Sequence, residues 1–320
     1  MSGVRTEEGT PLAKSATAAD VVIVGAGFAG MYMLHRLRQA GFSARVLEAG
    51  AGVGGTWYWN RYPGARCDVE SMQYSYQFSD ELQQEWDWTE KYATQPEILR
   101  YANHVADRYD LRRDIRFNTR VEAAQFNEGA GTWLLTTADG EQLRATYCVM
   151  ATGCLSAVNR ARIDGLESFK GKVYHTGEWP HEGVDFSGQR VAVIGTGSSA
   201  IQAIPIIADQ ARSLFVFQRT PNYTVPAHNA PLDPRQRQAV KNRYREFRNE
   251  AKQSFAGIHF RYNPESAVEV SEQRRREEFE ARWAHGGVTF MGAFSDLLFD
   301  PRANEAAADF VRSKIRQTVK

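Results

Sequence analysis

Two glycine-rich turns of one form, Gly25-Ala26-Gly27-Phe28-Ala29-Gly30 and Gly195-Thr196-Gly197-Ser198-Ser199-Ala200, each follow an apolar run and open a helical pattern. Val21 to Val24 leads into the first, and Val191 to Ile194 leads into the second. A strand, a tight turn and a helix in that order form the dinucleotide-binding unit of a parallel α/β sheet. The first glycine permits the turn, the second lets a pyrophosphate approach the backbone, and a small third residue lets helix and strand pack closely. The helix N-terminus then meets the phosphate charge. Two copies imply two nucleotides, electron transfer between them, and an α/β fold with two Rossmann-like units.

The residues beyond each turn make the two sites unequal. After the first, Met31, Leu34 and Leu37 recur at helical spacing, Gly41 marks the stop, and Ala44 to Glu48 reads as the next strand. Glu48 stands eighteen residues beyond Gly30, where an acid accepts hydrogen bonds from a ribose and disfavours a 2′-phosphate. That site suits FAD or NAD. After the second turn, Ile201, Ile204 and Ala208 continue a helical face in which Pro205 is expected to leave a kink. The strand Leu214 to Phe217 then ends in Gln218-Arg219-Thr220. Arg219 occupies the place of the ribose acid, and a guanidinium there favours NADP(H), the competing reading being an ordinary surface arginine.

At 320 residues the chain exceeds what one core serves, in agreement with two units. A net charge of +1 gives no general attraction to nucleic acid or to acidic membranes. Cys67, Cys148 and Cys154 form no C-x-x-C pair, no apolar run approaches a membrane span, and a cytoplasmic setting is expected. The expected organisation is a disordered segment over 1–19, a first nucleotide-binding domain for FAD or NAD over 20–155, a linker over 156–189, an NADP-preferring unit over 190–230 and charged helices over 231–320. Within the first domain, residues 51–78 carry no regular period, and an amphipathic helix covers Gln95 to Tyr109. A β-meander follows, Val121 to Phe126, Trp133 to Thr137 and Gln142 to Met150, turning at Asp139-Gly140. Thr152-Gly153 beyond it signals a close backbone approach, expected to be to the flavin nucleotide. The charged stretch reads as helices over Gln236 to Lys252, Val268 to Trp283 and Ala303 to Val319, with Arg274 to Glu278 on a solvated face.

Between the turns stands Phe169-Lys170-Gly171-Lys172-Val173-Tyr174-His175-Thr176-Gly177-Glu178-Trp179-Pro180. From its chemistry alone His175 reads as a general base, a metal ligand or a structural linker, and no surrounding ligand cluster has metal spacing. The pattern Phe169, Gly171, His175, Thr176, Trp179, Pro180 resembles the F-x-G-x-x-x-H-T-x-x-W-P signature of Baeyer–Villiger monooxygenases, placed between two nucleotide turns as in that family. The resemblance runs over about residues 20–320 and is nearest the phenylacetone, steroid and macrocyclic ketone branch. It implies that 20–155 is a FAD-binding domain and that the charged helices over 231–320 are that family's helical insertion.

What the resemblance implies is an enzyme in which NADPH reduces FAD, and the reduced flavin captures O₂ as a peroxide that attacks a small-molecule ketone to give an ester or lactone. No metal takes part. Asp68 matches the carboxylate beside the flavin, and Arg66 a contact to NADP(H). Gly55, Thr56, Trp57, Tyr74 and Val121 match flavin contacts beside Gly25, Gly27, Gly30 and Glu48. Thr220 joins Arg219 at the 2′-phosphate, after Gly195, Thr196, Gly197, Ser198 and Ser199. Phe169, Gly171, His175 and Trp179 match a hinge that couples the domains. The family's catalytic arginine has no counterpart among these 320 residues, so the chain is expected to be the family's N-terminal portion, inactive alone and with exposed apolar sheet edges. Two other readings compete: a flavin monooxygenase acting on nitrogen or sulfur, and a noncatalytic nucleotide-binding fragment. A disulfide-type reductase lacks its C-x-x-C pair.

Overall fold

The computed structural model describes residues 17–155, 157–254 and 256–319. In chain order the elements are β1 (Thr17–Val24), α1 (Phe28–Gln39), β2 (Ala44–Leu47), α2 (Thr56–Trp59), α3 (Asp80–Glu85), α4 (Gln95–Arg108), β3 (Ile115–Arg116), β4 (Val121–Asn127), β5 (Thr132–Thr137) and β6 (Gln142–Met150). They continue with β7 (Arg190–Ile194), α5 (Ser198–Gln210), β8 (Ser213–Phe217), α6 (Pro234–Asn242), α7 (Tyr244–Gln253), α8 (Glu272–His285) and α9 (Pro301–Thr318).

These elements group into two compact units. The first holds the described residues up to Arg61 together with Leu99–Trp179, and the second holds Tyr62–Ile98 with Pro180–Lys320. The expected 20–155 domain is therefore interrupted, since residues 62–98 group with the second unit. Long-range anchors explain this. Lys241 is 6% exposed and its ammonium donates to the Gln84 carbonyl and the Asp87 carboxylate. Arg248, 4% exposed, donates to the Gln73 carbonyl at 2.6 Å and to Gln83 at 3.2 Å.

The first unit is built on a six-stranded sheet in the order β3-β2-β1-β6-β5-β4. β1 pairs in parallel with β2 and β6, and β2 with β3, while β4, β5 and β6 form the expected antiparallel meander. β1 sits in the middle because both of its faces are apolar, as a buried parallel strand requires. Val21 and Ile23 point to one side, into a core with Met31 and Leu34 of α1 and Ala102 and Ala106 of α4. Val22 points to the other, against Leu47, Leu135 and Leu143. β1 also begins earlier than expected: the backbone of Thr17, Ala18 and Ala19, assigned to a disordered lead-in, pairs with Leu143 to Ala145 of β6. The rest of that lead-in lies outside the described residues.

In the second unit β7 and β8 pair in parallel and α5 runs unbroken through Pro205. Ile194, Phe215 and Phe217 of this sheet stand 68%, 54% and 58% exposed. Phe279, Phe294, Leu297 and Val311 build a separate helical core. Four helix boundaries in the insertion differ from expectation. The single helix expected from Gln236 to Lys252 breaks at Arg243 (φ −125°), because Tyr244, 5% exposed, is held through its hydroxyl on the Met72 carbonyl. The first and last helices of the insertion begin at Pro234 and Pro301, each behind an aspartate, Asp233 or Asp300, that caps the first turn. α8 starts at Glu272, where Ser271 accepts from the Arg274 N–H. The charged run on α8 is also not wholly solvated. Glu278 and Arg282 are 9% and 4% exposed and pair at 2.7 Å, and Arg282 donates to the Thr289 carbonyl.

Candidate functional site

Backbone packs closely against each glycine of the first turn. Gly25 adopts φ +104°, and a Cβ there would lie 2.6 Å from the Ala151 carbonyl oxygen. The backbone of Ala151 and Thr152, directly before Gly153, thus packs on the turn itself. A Cβ on Gly30 would lie 1.9 Å from the Gly25 carbonyl oxygen, so the third glycine is fixed by helix-to-turn contact. Gly55 (φ +54°) packs on Gly27, its would-be Cβ 2.8 Å from the Gly27 Cα. Gly27 caps α1 with no side-chain bond to the first helical N–H groups, which leaves that end of the helix a cradle for an anion.

Glu48 ties this cradle together. It is 4% exposed; its two carboxylate oxygens accept from the Ala26 N–H at 2.6 Å and the Gly50 N–H at 2.7 Å. Each oxygen keeps a lone pair for a further donor. The clip to the turn is a role that spacing alone did not reveal. The Thr119 N–H donates to the Glu48 carbonyl, which brings the start of β4 and Val121 toward this end of the sheet. Thr56 and Trp57 open α2, a helix inside the stretch expected to be irregular, and Trp57 is 8% exposed. That stretch is pinned by its own aromatics. The Tyr58 hydroxyl accepts from the Ala51 N–H, and its ring covers Gly50 and Gly52. Glu48→Gln is expected to lower the unfolding free energy by on the order of 1–3 kcal/mol, because an amide nitrogen then faces a buried N–H and leaves it unpaired. Chemical denaturation of the variant checks this, and an unchanged midpoint and slope would remove the clip.

The second turn has the same backbone and more room. Gly195 (φ +103°) and Gly197 have nothing within 4 Å of a would-be Cβ. The Gly195 N–H donates to the Phe217 carbonyl at 2.8 Å, and Gln218 donates to the Thr196 hydroxyl at 2.7 Å, so the end of β8 folds back onto the turn. Gly197 caps α5 without a side-chain bond, beside Ser198 and Ser199. Arg219 and Thr220 follow β8 exposed to solvent, and the Arg219 guanidinium has no hydrogen-bond or ion-pair partner among the described residues.

Arg66, Asp68 and Tyr74 all lie in the second unit. Arg66 is already engaged, donating to Glu90 at 3.1 Å and to the Tyr92 carbonyl. Glu90 in turn accepts from Asn229 at 2.5 Å. Asp68 accepts from the Gln202 amide at 3.0 Å, a residue that the sequence reading passed over. Partial burial raises the Asp68 pKa, and the Gln202 N–H opposes that rise. The Tyr74 N–H donates to the Ser71 carbonyl. Beside Asp68, burial pushes the Cys67 thiol up to about 12, which removes it as a nucleophile. Cys67, Cys148 and Cys154 are all free thiols.

In the segment between the turns, the His175 ring accepts from the Gly177 N–H at 3.1 Å. Phe169, 61% exposed, lays its ring over Gly171, where a Cβ would lie 2.5 Å from it. Tyr174 and Trp179 rings meet at 5.7 Å, with Trp179 8% exposed. The last of the three divisions between the two units falls directly after Trp179.

Residues 22–282 match the family model described as pyridine nucleotide-disulphide oxidoreductase. A Baeyer–Villiger monooxygenase of Pseudooceanicola batsensis is 45% identical over 304 residues, covering 94% of this chain and 56% of that protein. A phenazine N-monooxygenase of Lysobacter antibioticus is 44% identical over 304 residues, with the same coverage. The solved structure of an oxidised steroid monooxygenase bound to NADP superposes with a TM-score of 0.90 at 56% identity, over 95% of this chain and 58% of that one. The chain therefore spans about half the length of the relatives it matches.

Proposed function

We propose, from the premise that the chain belongs to the pyridine nucleotide-disulphide oxidoreductase family, that it provides the FAD and NADPH sites of a Baeyer–Villiger monooxygenase acting on a small-molecule ketone. The observation that carries the reading is a pair of backbone-matched turns with opposite charge beyond them, buried Glu48 at one and, unpaired among the described residues, Arg219 at the other. Disulfide chemistry, which the family's description includes, has no support here, because the cysteines stand singly and the Cys67 thiol is held neutral.

FAD, when bound, supplies the hydride-accepting and oxygen-activating chemistry. The residues of this chain bind and orient. The first turns of α1 and α5 offer N–H groups to the two pyrophosphates, and Glu48 offers its remaining lone pairs to a ribose. Arg219, with Thr220, takes a 2′-phosphate. Asp68 supplies a carboxylate, and Phe169, Gly171, His175 and Trp179 link the units where the chain passes from one to the other. Free thiols fit a reducing, cytoplasmic setting.

A second reading has its own support in the 44% identity to a phenazine N-monooxygenase, namely oxygenation of a heteroatom. One experiment separates the readings. The purified protein is reconstituted with FAD and supplied with NADPH, O₂ and either a cyclic ketone or a phenazine. Lactone from the ketone supports the first reading and N-oxide the second. Bound flavin that NADPH reduces without either product keeps both nucleotide sites and supports neither oxygenation, and failure to hold flavin at all overturns every reading built on the first turn.

A further inference from the structure

Gln202 lies on α5 one helical turn beyond Ser198, a polar side chain in the apolar run Ile201-Gln202-Ala203-Ile204. Its amide is saturated. The Oε1 atom accepts from the Tyr62 hydroxyl at 2.9 Å and from the Arg66 N–H at 3.2 Å. The Nε2 atom donates to the Arg66 carbonyl at 3.2 Å and to Asp68 Oδ1 at 3.0 Å. An amide has two lone pairs and two N–H bonds, so all four positions are used. The two backbone groups of Arg66 also fix which way the amide faces, since an N–H must meet oxygen and a C=O must meet nitrogen. Gly64 seals the contact, with φ +77° and a would-be Cβ 2.3 Å from the Gln202 carbonyl oxygen.

We propose that Gln202 is a positioning residue, which seats the loop of residues 62–68 on α5 and aims the Asp68 carboxylate in its ionised form. What Asp68 then does rests on the monooxygenase reading; how it is held does not. No cation pairs with Asp68 among the described residues, so a single neutral N–H is its side-chain support. The titratable groups that face it are Tyr62, Cys67 and Tyr92. Burial raises all three, Cys67 and Tyr92 to about 12, so none changes charge where a carboxylate titrates.

The test is the titration of Asp68 in the full chain, followed by NMR with selectively ¹³C-labelled aspartate and assigned by loss of its signal in Asp68→Asn. The Asp68 midpoint is expected to rise in Gln202→Leu, which removes the N–H. It is expected to rise further in Gln202→Glu, which sets a second carboxylate against it. An unchanged midpoint in both would leave Gln202 a loop clamp and overturn the proposal. If these variants do not fold, the wild type suffices: the Gln202 side-chain amide signal should titrate with the Asp68 midpoint and stop doing so in Asp68→Asn. A pH-independent amide signal overturns the proposal equally. No turnover is measured, so failure of the monooxygenase reading leaves this result standing.

Discussion

Gly30→Ala is expected to abolish flavin retention, while Gly197→Ala, at the corresponding second turn, is expected to leave the fold intact. The difference lies in what each added methyl would meet. At Gly30 it would lie 1.9 Å from the Gly25 carbonyl oxygen and 3.0 Å from its carbon. Gly25 has nowhere to retreat, because its N–H is bonded to the Leu47 carbonyl at 2.8 Å and its Cα side abuts Ala151. Relief requires α1 to move off the sheet, which uncovers Met31 and Leu34, both fully buried. Overpacking of a core costs typically about 1–3 kcal/mol, and an obstacle made of backbone places this case at or above the top of that range. At Gly197 nothing lies within 4 Å and the backbone is extended, so a methyl would obstruct only a ligand. Thermal melting and bound-flavin absorbance of the two variants check the contrast. A Gly30→Ala protein that melts like the wild type and holds one flavin would show that the turn is not rigid.

The parts of the fold that the sequence made legible are those whose causes are local. Val21 to Val24 declares a central strand because both faces must be apolar, and the glycine turns declare themselves because only glycine fits their dihedral angles and contacts. The helix starts at Pro234 and Pro301 were equally local, written as Asp-Pro pairs, and an earlier start follows from them directly. Other features depend on partners distant in the chain. The break at Arg243 is made by the burial of Tyr244 against Met72, and the grouping of residues 62–98 with the second unit is made by Lys241 and Arg248. A charged helix reads as solvated until the carbonyls that will take its guanidinium groups are known, as with Arg282. Gln202 did carry a signal, an amide inside the apolar stretch Ile201 to Ile207 directly after a glycine turn. Its four partners, however, come from residues 62–68, and periodicity says nothing about them.

Arg219→Ala is expected to weaken NADPH binding by about 10- to 100-fold with little change for NADH, the size of one lost charge-assisted hydrogen bond at about 1.5–3 kcal/mol. The guanidinium is exposed, unpaired among the described residues and one position beyond Gln218, whose amide is fixed on Thr196 of the turn. Its backbone is therefore held while its side chain is left available. Arg219→Lys should fall between wild type and alanine, since an ammonium keeps the charge and loses the forked, bidentate geometry. Rising salt should weaken NADPH binding to the wild type more steeply than to the alanine variant, because the exposed charge is screened. Fluorescence titrations of both nucleotides against all three proteins read these effects separately. Equal losses for NADPH and NADH in Arg219→Ala would mean that Arg219 supports the turn and does not meet a 2′-phosphate. The asymmetry between the two turns would then rest on Glu48 alone, whose buried clip to Ala26 and Gly50 fixes the shape of the first site without saying anything about the second.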